Sequence, residues 1–349
     1  MRSQQQSRLL KTDPAMIFPL TSSRMILSRP VCAGSLCFGV QVRRLGRVGR
    51  LKRTGRFGAL AILMLCLLAD GVAASSYRLS SWKDRLFRYP DLLESGYDGD
   101  FVRVNYKETR DVNERDEVPV HKVYSYYISR LPDKSHVTKS YSVNGRTLHY
   151  EAAGRSAGKA KAITIFLHGR GGDRSLGFND WSFGGNFNRI KNLMVRNDGL
   201  YISPDFTDFG GRGKADIKAL ITEQKAKSPK AAVFVACGSM GGEICYQLLE
   251  DASAVKMLDG MLFLGTIRRD TLLYSPAFSA NGHGLPIYIG HGTYDTAFSW
   301  QSQLDFFKKV KAQRPDYPIR LAIFEKGKHG TPIRMLDWRE TLNWMLSLR

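Results

Sequence analysis

The sequence predicts an α/β fold: a mostly parallel sheet of about eight strands, covered by helices on both faces. Three observations lead to this prediction. After about residue 139, short apolar segments alternate with longer helical ones, the pattern of parallel strands and their connecting helices. A hairpin signal precedes the alternation. Polar and glycine-rich residues follow four of the apolar segments, where open α/β sheets carry their functional loops.

The hairpin is signalled by Asn144-Gly145, which joins two alternating segments, KSYSV and RTLHYEA. Later strands are predicted from apolar runs, in chain order AITIFLHG, GLYISPDF, AAVFVAC, GMLFLGT, LPIYIGHG and RLAIFEKG. Helices are predicted from KADIKALITEQKAK, QSQLDFFKKVKAQ and MLDWRETLNWMLSLR.

Residues 1–74 are interpreted as a basic leader. The 349-residue chain has a formal charge of +20, and half of it falls in this segment. Basic residues precede the apolar stretch GALAILMLCLL, and small residues ending at Ala74 suit a signal peptidase. We expect a periplasmic or secreted protein, with Met1 or Met25 as its start. A retained membrane anchor is the alternative, although the apolar stretch is shorter than the roughly 20 residues that cross a bilayer.

Residues 75–138 are expected to form an extension of uncertain structure, because their polar, charged and aromatic residues show no hydrophobic period. An extension packed on the main domain through its aromatic side chains is the first interpretation, and a binding module is the alternative. The main domain is expected at 139–349.

Residues 75–349 carry the remaining formal charge of +10 without a nucleic-acid-binding motif. We therefore expect no nucleic-acid partner and only weak contact with an anionic envelope surface.

Two cysteines lie outside the leader. Cys237 and Cys245 flank Ser239 in a predicted strand and helix, and we expect them to be too buried and too constrained to pair. No CxxC or HxxxH spacing occurs, so no metal site is expected.

Four predicted strand ends bring chemically useful residues to one edge of the sheet. AITIFLHG ends in a glycine-rich loop that includes Arg170, and the serine turn follows AAVFVA. The two later strand ends lead to Asp295 and His329. A serine hydroxyl is a poor nucleophile unless a base takes its proton, and a third group must orient that base. Ser239, His329 and Asp295 can fill these three roles.

Other residues at these strand ends are given structural interpretations. His329 is the only histidine after Asp295, so it alone fits the chain order serine, acid, histidine. We therefore interpret His168 and His291 as hydrogen-bonding loop residues. The glycines around Ser239 provide space for a sharp turn where strand and helix meet.

The motifs CGSMGG, LHGRGG, HGTYD and KHG resemble the α/β-hydrolase superfamily across roughly residues 139–349, and within it carboxylesterase, phospholipase-like and depolymerase-like serine esterases. Cys237 departs from the usual G-x-S-x-G motif, which has glycine two places before the serine. The resemblance implies that Ser239 is the nucleophile, His329 the general base and later acid, and Asp295 the orienting carboxylate. It also implies an oxyanion hole made by the backbone N–H groups of Met240 and Arg170.

We therefore expect an exported serine hydrolase that cleaves carboxylic esters through an acyl-enzyme and requires no cofactor. An acyltransferase, thioesterase or peptidase would use the same nucleophilic step, and a non-catalytic binding protein of this fold is a further alternative. The segment IRRDTLLYSPAFSANGHG, where the superfamily often inserts a lid, is short, so an open site for small or polymer-borne esters is expected. Trp181, Phe183 and Trp300 are candidates for its lining.

Overall fold

A ten-stranded sheet organises the protein. The structure is a computed structural model that describes residues 77–279 and 282–349. The strands are β1 Leu92–Gly96, β2 Phe101–Val104, β3 Asp116–Glu117, β4 Lys122–Val123, β5 His136–Val143, β6 Arg146–Gly154, β7 Ala162–Leu167, β8 Leu200–Pro204, β9 Ala232–Gly238, β10 Gly260–Leu264, β11 Ile287–Gly292 and β12 Ile319–Phe324. The helices are α1 Asp84–Phe87, α2 Asn186–Arg196, α3 Gly211–Lys227, α4 Gly242–Leu249, α5 Ala252–Val255, α6 Pro276–Ser279, α7 Trp300–Gln313, α8 Thr331–Met335 and α9 Trp338–Leu346.

The strand order in the large sheet is β1-β2-β12-β11-β10-β9-β7-β8-β6-β5. The pairs from β2 to β8 are all parallel, whereas β1, β6 and β5 pair antiparallel at the two edges. The chain continues from β7 to β8 on one side and then returns to place β9 on the other side of β7. This reversal creates a switch point between β7 and β9, where the carboxyl ends of neighbouring strands leave a crevice.

The mostly parallel sheet with helices on both faces is confirmed, and its topology is that of the α/β-hydrolase fold. The eight strands expected from the second half of the chain are present as β5 to β12. The hairpin at Asn144-Gly145 is also confirmed: Val143 pairs with Arg146, and both turn residues have positive φ.

The strand count of about eight is two too low, because residues 92–104 add β1 and β2 to the sheet. These segments, LLESG and FVRV, are short and mixed in polarity, so nothing local distinguishes them from loops. They become strands because β2 pairs with β12, in a register that places Phe101 opposite Leu321. The extension and residues 139–349 belong to one compact unit.

Two hydrophobic cores lie on the two faces of the sheet. Successive residues of a strand point to opposite faces, so Ile163 and Ile165 of β7 enter one core and Phe166 enters the other. Helices α3, α4 and α7 cover the first core, and α2 and α9 cover the second. Burial of both faces explains why the central strands read as continuous apolar runs.

A small hairpin, β3–β4, stands apart from the large sheet. Val123 of β4 packs in a separate cluster with Phe87, Tyr127 and Ile128, all contributed by the extension. This cluster lies beside the main cores, whereas other residues of the extension, such as Leu79 and Val104, enter the core that α2 and α9 cover. Among the described residues no helix is long and apolar enough to cross a membrane. The predicted leader lies outside the described residues.

Candidate active site

Ser239 lies in a sharp turn between β9 and α4. Its φ of 51° is in the left-handed region, a conformation that costs an L-residue about 1–2 kcal/mol. The glycines beyond it permit close packing. A methyl group added at Gly241 would lie 2.7 Å from the carbonyl oxygen of Leu167, and one at Gly242 would lie 2.7 Å from Thr266 Cβ. This strand–turn–helix geometry projects the serine side chain at the carboxyl edge of the sheet.

The structure brings Ser239, His329 and Asp295 together. His329 Nε2 lies 2.9 Å from Ser239 Oγ, and His329 Nδ1 lies 2.8 Å from Asp295 Oδ2. Because a carboxylate can only accept, Nδ1–H donates to Asp295 and Nε2 is left to accept from the serine hydroxyl. The Asp295 side chain is fully buried, whereas 36% of the His329 side chain is exposed. The arrangement can therefore take a proton from Ser239 at a surface that substrate can reach.

Several hydrogen bonds hold Asp295 in its charged form. Burial alone would raise the pKa of this carboxyl. The hydrogen bond from His329 and those from the backbone amides of Ala297 and Phe298 outweigh burial and lower the pKa below its ordinary value. The two amides lie 2.8 and 3.1 Å from Oδ1, which leaves Oδ2 for the histidine.

The loop after β7 passes directly against the nucleophile. A methyl group added at Gly169 would lie 2.7 Å from Ser239 Cβ. Arg170 follows Gly169, and its side chain is exposed to solvent. Among the described residues, the Arg170 N–H donates to no backbone carbonyl of a loop or turn. Met240 directly follows Ser239 within the short 3₁₀ turn Ser239–Gly241.

His168 and His291 lie beside the site without contacting Ser239. His168 Nδ1 lies 2.9 Å from Gly169 O, and its ring stacks on Phe206 with centroids 4.3 Å apart. His291 Nε2 donates to Phe298 O at 3.0 Å and lies 3.3 Å from Asp295 Oδ2. Burial lowers the pKa of both histidines, so both are neutral at pH 7.

The expectation that Cys237 and Cys245 stay unpaired is wrong, because the structure joins them in a disulfide. Cys237 is the penultimate residue of β9, and Cys245 lies in the first turn of α4. The sharp turn at Ser239 brings the helix back over the end of the strand. The two Cα atoms are consequently 6.4 Å apart, which a disulfide can bridge.

A cavity of about 430 Å³ is lined by both sequence neighbours of His329, although neither His329 nor Ser239 itself lines it. Lys328 and Gly330, the neighbours of His329, form one wall, and Phe183 forms another. The opposite side comes from the extension and α8, with the lining residues Tyr106, Glu108, Val112, Val120, His121 and Arg334. The sequence contains no signal for these lining residues, because they belong to segments without a recognisable motif.

Of the three aromatic candidates for the pocket lining, only Phe183 borders this cavity. The ring of Trp181 lies under the Lys122 ammonium group, and Trp300 lines a different cavity between β2 and α7. Trp181 and Trp300 therefore contact other parts of the molecule and do not line this cavity.

The strand order and the strand–turn–helix unit at Ser239 are those of the α/β-hydrolase fold. No protein-family model and no curated protein sequence matches the chain. Similar solved structures include FphF, a fluorophosphonate-binding serine hydrolase of Staphylococcus aureus, at 14% identity and a TM-score of 0.47, covering 61% of this chain and 98% of that one. Another is an esterase of Pyrococcus furiosus, at 15% identity and a TM-score of 0.46, covering 63% and 96%.

An α/β serine hydrolase homologue from Coxiella burnetii is similar at 13% identity and a TM-score of 0.45, covering 60% of this chain and 96% of that one. At such identities the likeness extends to the fold alone. The chemistry of the site has to follow from the chain's own residues.

Proposed function

We propose that this protein is an exported serine hydrolase that cleaves carboxylic esters through an acyl-enzyme. The observation that carries the proposal is the position of His329, hydrogen-bonded through Nε2 to Ser239 Oγ and through Nδ1 to Asp295 Oδ2. A general base requires both contacts, one to the nucleophile and one to the group that orients it. A surface histidine without a catalytic role requires neither.

Acylation begins when Ser239 Oγ attacks the carbonyl carbon of the ester and His329 Nε2 takes the hydroxyl proton. The charge on the carbonyl oxygen is then met by the Met240 and Arg170 N–H groups. Asp295 stabilises the protonated imidazole without taking its proton. As the tetrahedral intermediate collapses, the C–O bond to the alcohol breaks and His329 gives the proton to the departing oxygen.

Deacylation repeats these steps with water as the nucleophile. His329 takes a proton from the water, the hydroxide attacks the acyl carbon, and the bond to Ser239 Oγ breaks as the proton returns to the serine. The products are a carboxylic acid and regenerated enzyme. Every proton transfer uses the same nitrogen, so no cofactor is needed.

The cavity beside His329 supports a substrate of modest size. Its volume of about 430 Å³ is within the range of pockets for small molecules. Its walls combine apolar side chains such as Val112 and Phe183 with the polar groups of Tyr106 and His121. A small ester, or one residue of a polymer-borne ester, suits such a pocket better than a long unbranched acyl chain.

Export is supported by two features of the chain. The basic leader with its apolar stretch is typical of a secretory signal. The Cys237–Cys245 disulfide is typical of proteins that mature in an oxidising compartment. Neither feature bears on the chemistry of Ser239.

Labelling with a fluorophosphonate probe tests the hydrolase mechanism. We expect the full chain to be labelled, Ser239→Ala not to be labelled, and His329→Ala to react at least about a thousandfold more slowly. Ser156→Ala and His149→Ala are matched controls, because neither side chain has a hydrogen-bond partner among the described residues, and both should label at the original rate. A folded protein that is not labelled would exclude the proposed function.

A further inference from the structure

The sharp turn between β9 and α4 that carries Ser239, here called the elbow, is closed by the Cys237–Cys245 disulfide. Both cysteines of the Cys237–Cys245 disulfide are buried in the core on one face of the sheet. In the sheet register Cys237 lies between Leu167 of β7 and Phe263 of β10. The bond therefore ties the helix that leaves the elbow to a strand that is itself held on both sides.

The bridged segment contains the groups that the proposed chemistry needs in place. Ser239 and Met240 lie between the two cysteines, which are separated by eight positions. Ser239 has a left-handed backbone, and such a conformation persists only where the surrounding structure enforces it. Release of the helix from the strand would let the serine relax and would move the Met240 N–H with it.

We propose that the Cys237–Cys245 disulfide positions the nucleophile, an inference that rests on the proposed function. In the usual G-x-S-x-G turn the place of Cys237 is taken by glycine, which cannot form this tie. The entropy that a disulfide removes from the unfolded chain grows with the length of the loop, and this loop is short. The effect of the bridge is therefore mainly local, on the geometry of the elbow.

The first test is chemical. Trypsin releases residues 231–256 as one peptide that contains both cysteines and no others. When the full chain is unfolded with an alkylating agent and no reductant, we expect this peptide to carry no alkyl group and to be two hydrogen masses lighter than its reduced form. After reduction it should carry two alkyl groups. Two alkylated thiols without reduction would overturn the proposal.

The second test is kinetic, using Cys237→Ala with Cys245→Ala. Displacement of the nucleophile should lower both kcat for ester hydrolysis and the rate of fluorophosphonate labelling about tenfold, with KM little changed. Cys237→Gly with Cys245→Ala restores the usual glycine but not the bridge, and it should be equally slow. Val235→Ala is the matched control, because it trims a buried side chain of the same strand and leaves the bridge. It should lower the melting temperature but not the labelling rate.

The outcomes separate the two proposals. Labelling of the double variants at the original rate, measured well below their melting temperatures, would overturn the positioning role and leave the proposed function intact. Absence of labelling in the unsubstituted chain would instead overturn the proposed function, and the positioning role with it.

Discussion

Asp295 orients His329 from a fully buried position. Its Oδ1 accepts hydrogen bonds from the amides of Ala297 and Phe298, so its Oδ2 can point only toward the imidazole rings. The pKa of the carboxyl is lowered by these bonds in spite of burial, and Asp295 is charged throughout the neutral range. The fixed carboxylate selects the histidine tautomer that has its free nitrogen toward Ser239.

Asp295→Asn tests this role at the scale of one residue. An amide that donates to Nδ1 would favour the tautomer with the proton on Nε2, so we expect kcat for ester hydrolysis to fall about 10⁴-fold. Steady-state kinetics on a small ester provide the measurement. Asp305→Asn is the control, since Asp305 is exposed on α7, and its kcat should be unchanged. An Asp295→Asn protein with a tenth of the original kcat would contradict the role.

At the scale of elements, a buried ion pair links hairpin β3–β4 to helix α8. The guanidinium of Arg334 contacts both carboxylate oxygens of Asp116, and its Nη1 donates to Asp111 O at 3.0 Å. Asp116 is completely buried and Arg334 nearly so. Helix α8 begins just after His329 and lines part of the cavity. The pair therefore fastens this side of the cavity to hairpin β3–β4.

Removal of one partner of this pair should cost more than removal of a surface pair. Asp116→Ala leaves the Arg334 charge buried without its counterion, so we expect the free energy of unfolding to fall by about 3–5 kcal/mol. Urea unfolding provides the measurement.

Asp198→Ala is the matched control, because its pairs with Arg155 and Lys161 are exposed and each should contribute less than about 1 kcal/mol. Asp116→Ala with Arg334→Met should recover part of the loss, since neither charge remains. A loss as small as that of Asp198→Ala would show that Arg334 finds another partner or water.

At the scale of the whole molecule, two neutral histidines link folding to pH. Burial lowers the pKa of His168 and of His291 below the ordinary value of 6.5. Below pH 6.5 the unfolded chain therefore binds protons that the folded chain does not, and stability falls as the pH is lowered. Carboxyl groups with lowered pKa, such as Asp251, lose their contribution only near and below their ordinary value of 3.8.

In the pH range just below 6.5 we expect each of these histidines to reduce the free energy of unfolding by up to about 1.4 kcal/mol per pH unit. His291→Gln should flatten this dependence, and His168→Gln should flatten it further in the double variant. His149→Gln, an exposed control, should leave it unchanged. Urea unfolding at several pH values provides the measurement, and a wild-type stability that is constant across this window would contradict the assignment.

The amino-acid sequence alone predicts the eight strands β5 to β12, the Asn144-Gly145 hairpin and the strand–turn–helix unit around Ser239. Each depends on a local property: an apolar run, a turn that needs positive φ, or small residues beside one serine. Parallel strands present their carboxyl ends at a common edge, so the chain order also led to the expectation that Ser239, Asp295 and His329 lie close together.

Three other features of the fold and of the site depend on tertiary contacts. Segments 92–96 and 101–104 carry no strand pattern; residues 101–104 became a strand by pairing with β12, and residues 92–96 by pairing in turn with β2. Cys237 and Cys245 pair because the turn at Ser239 folds the helix back over its strand, a distance that no local pattern specifies. The cavity beside His329 joins residues more than 200 positions apart, such as Tyr106 and Arg334. Contacts of this kind depend on the packing of whole elements, and so they lie beyond the reach of sequence periodicity.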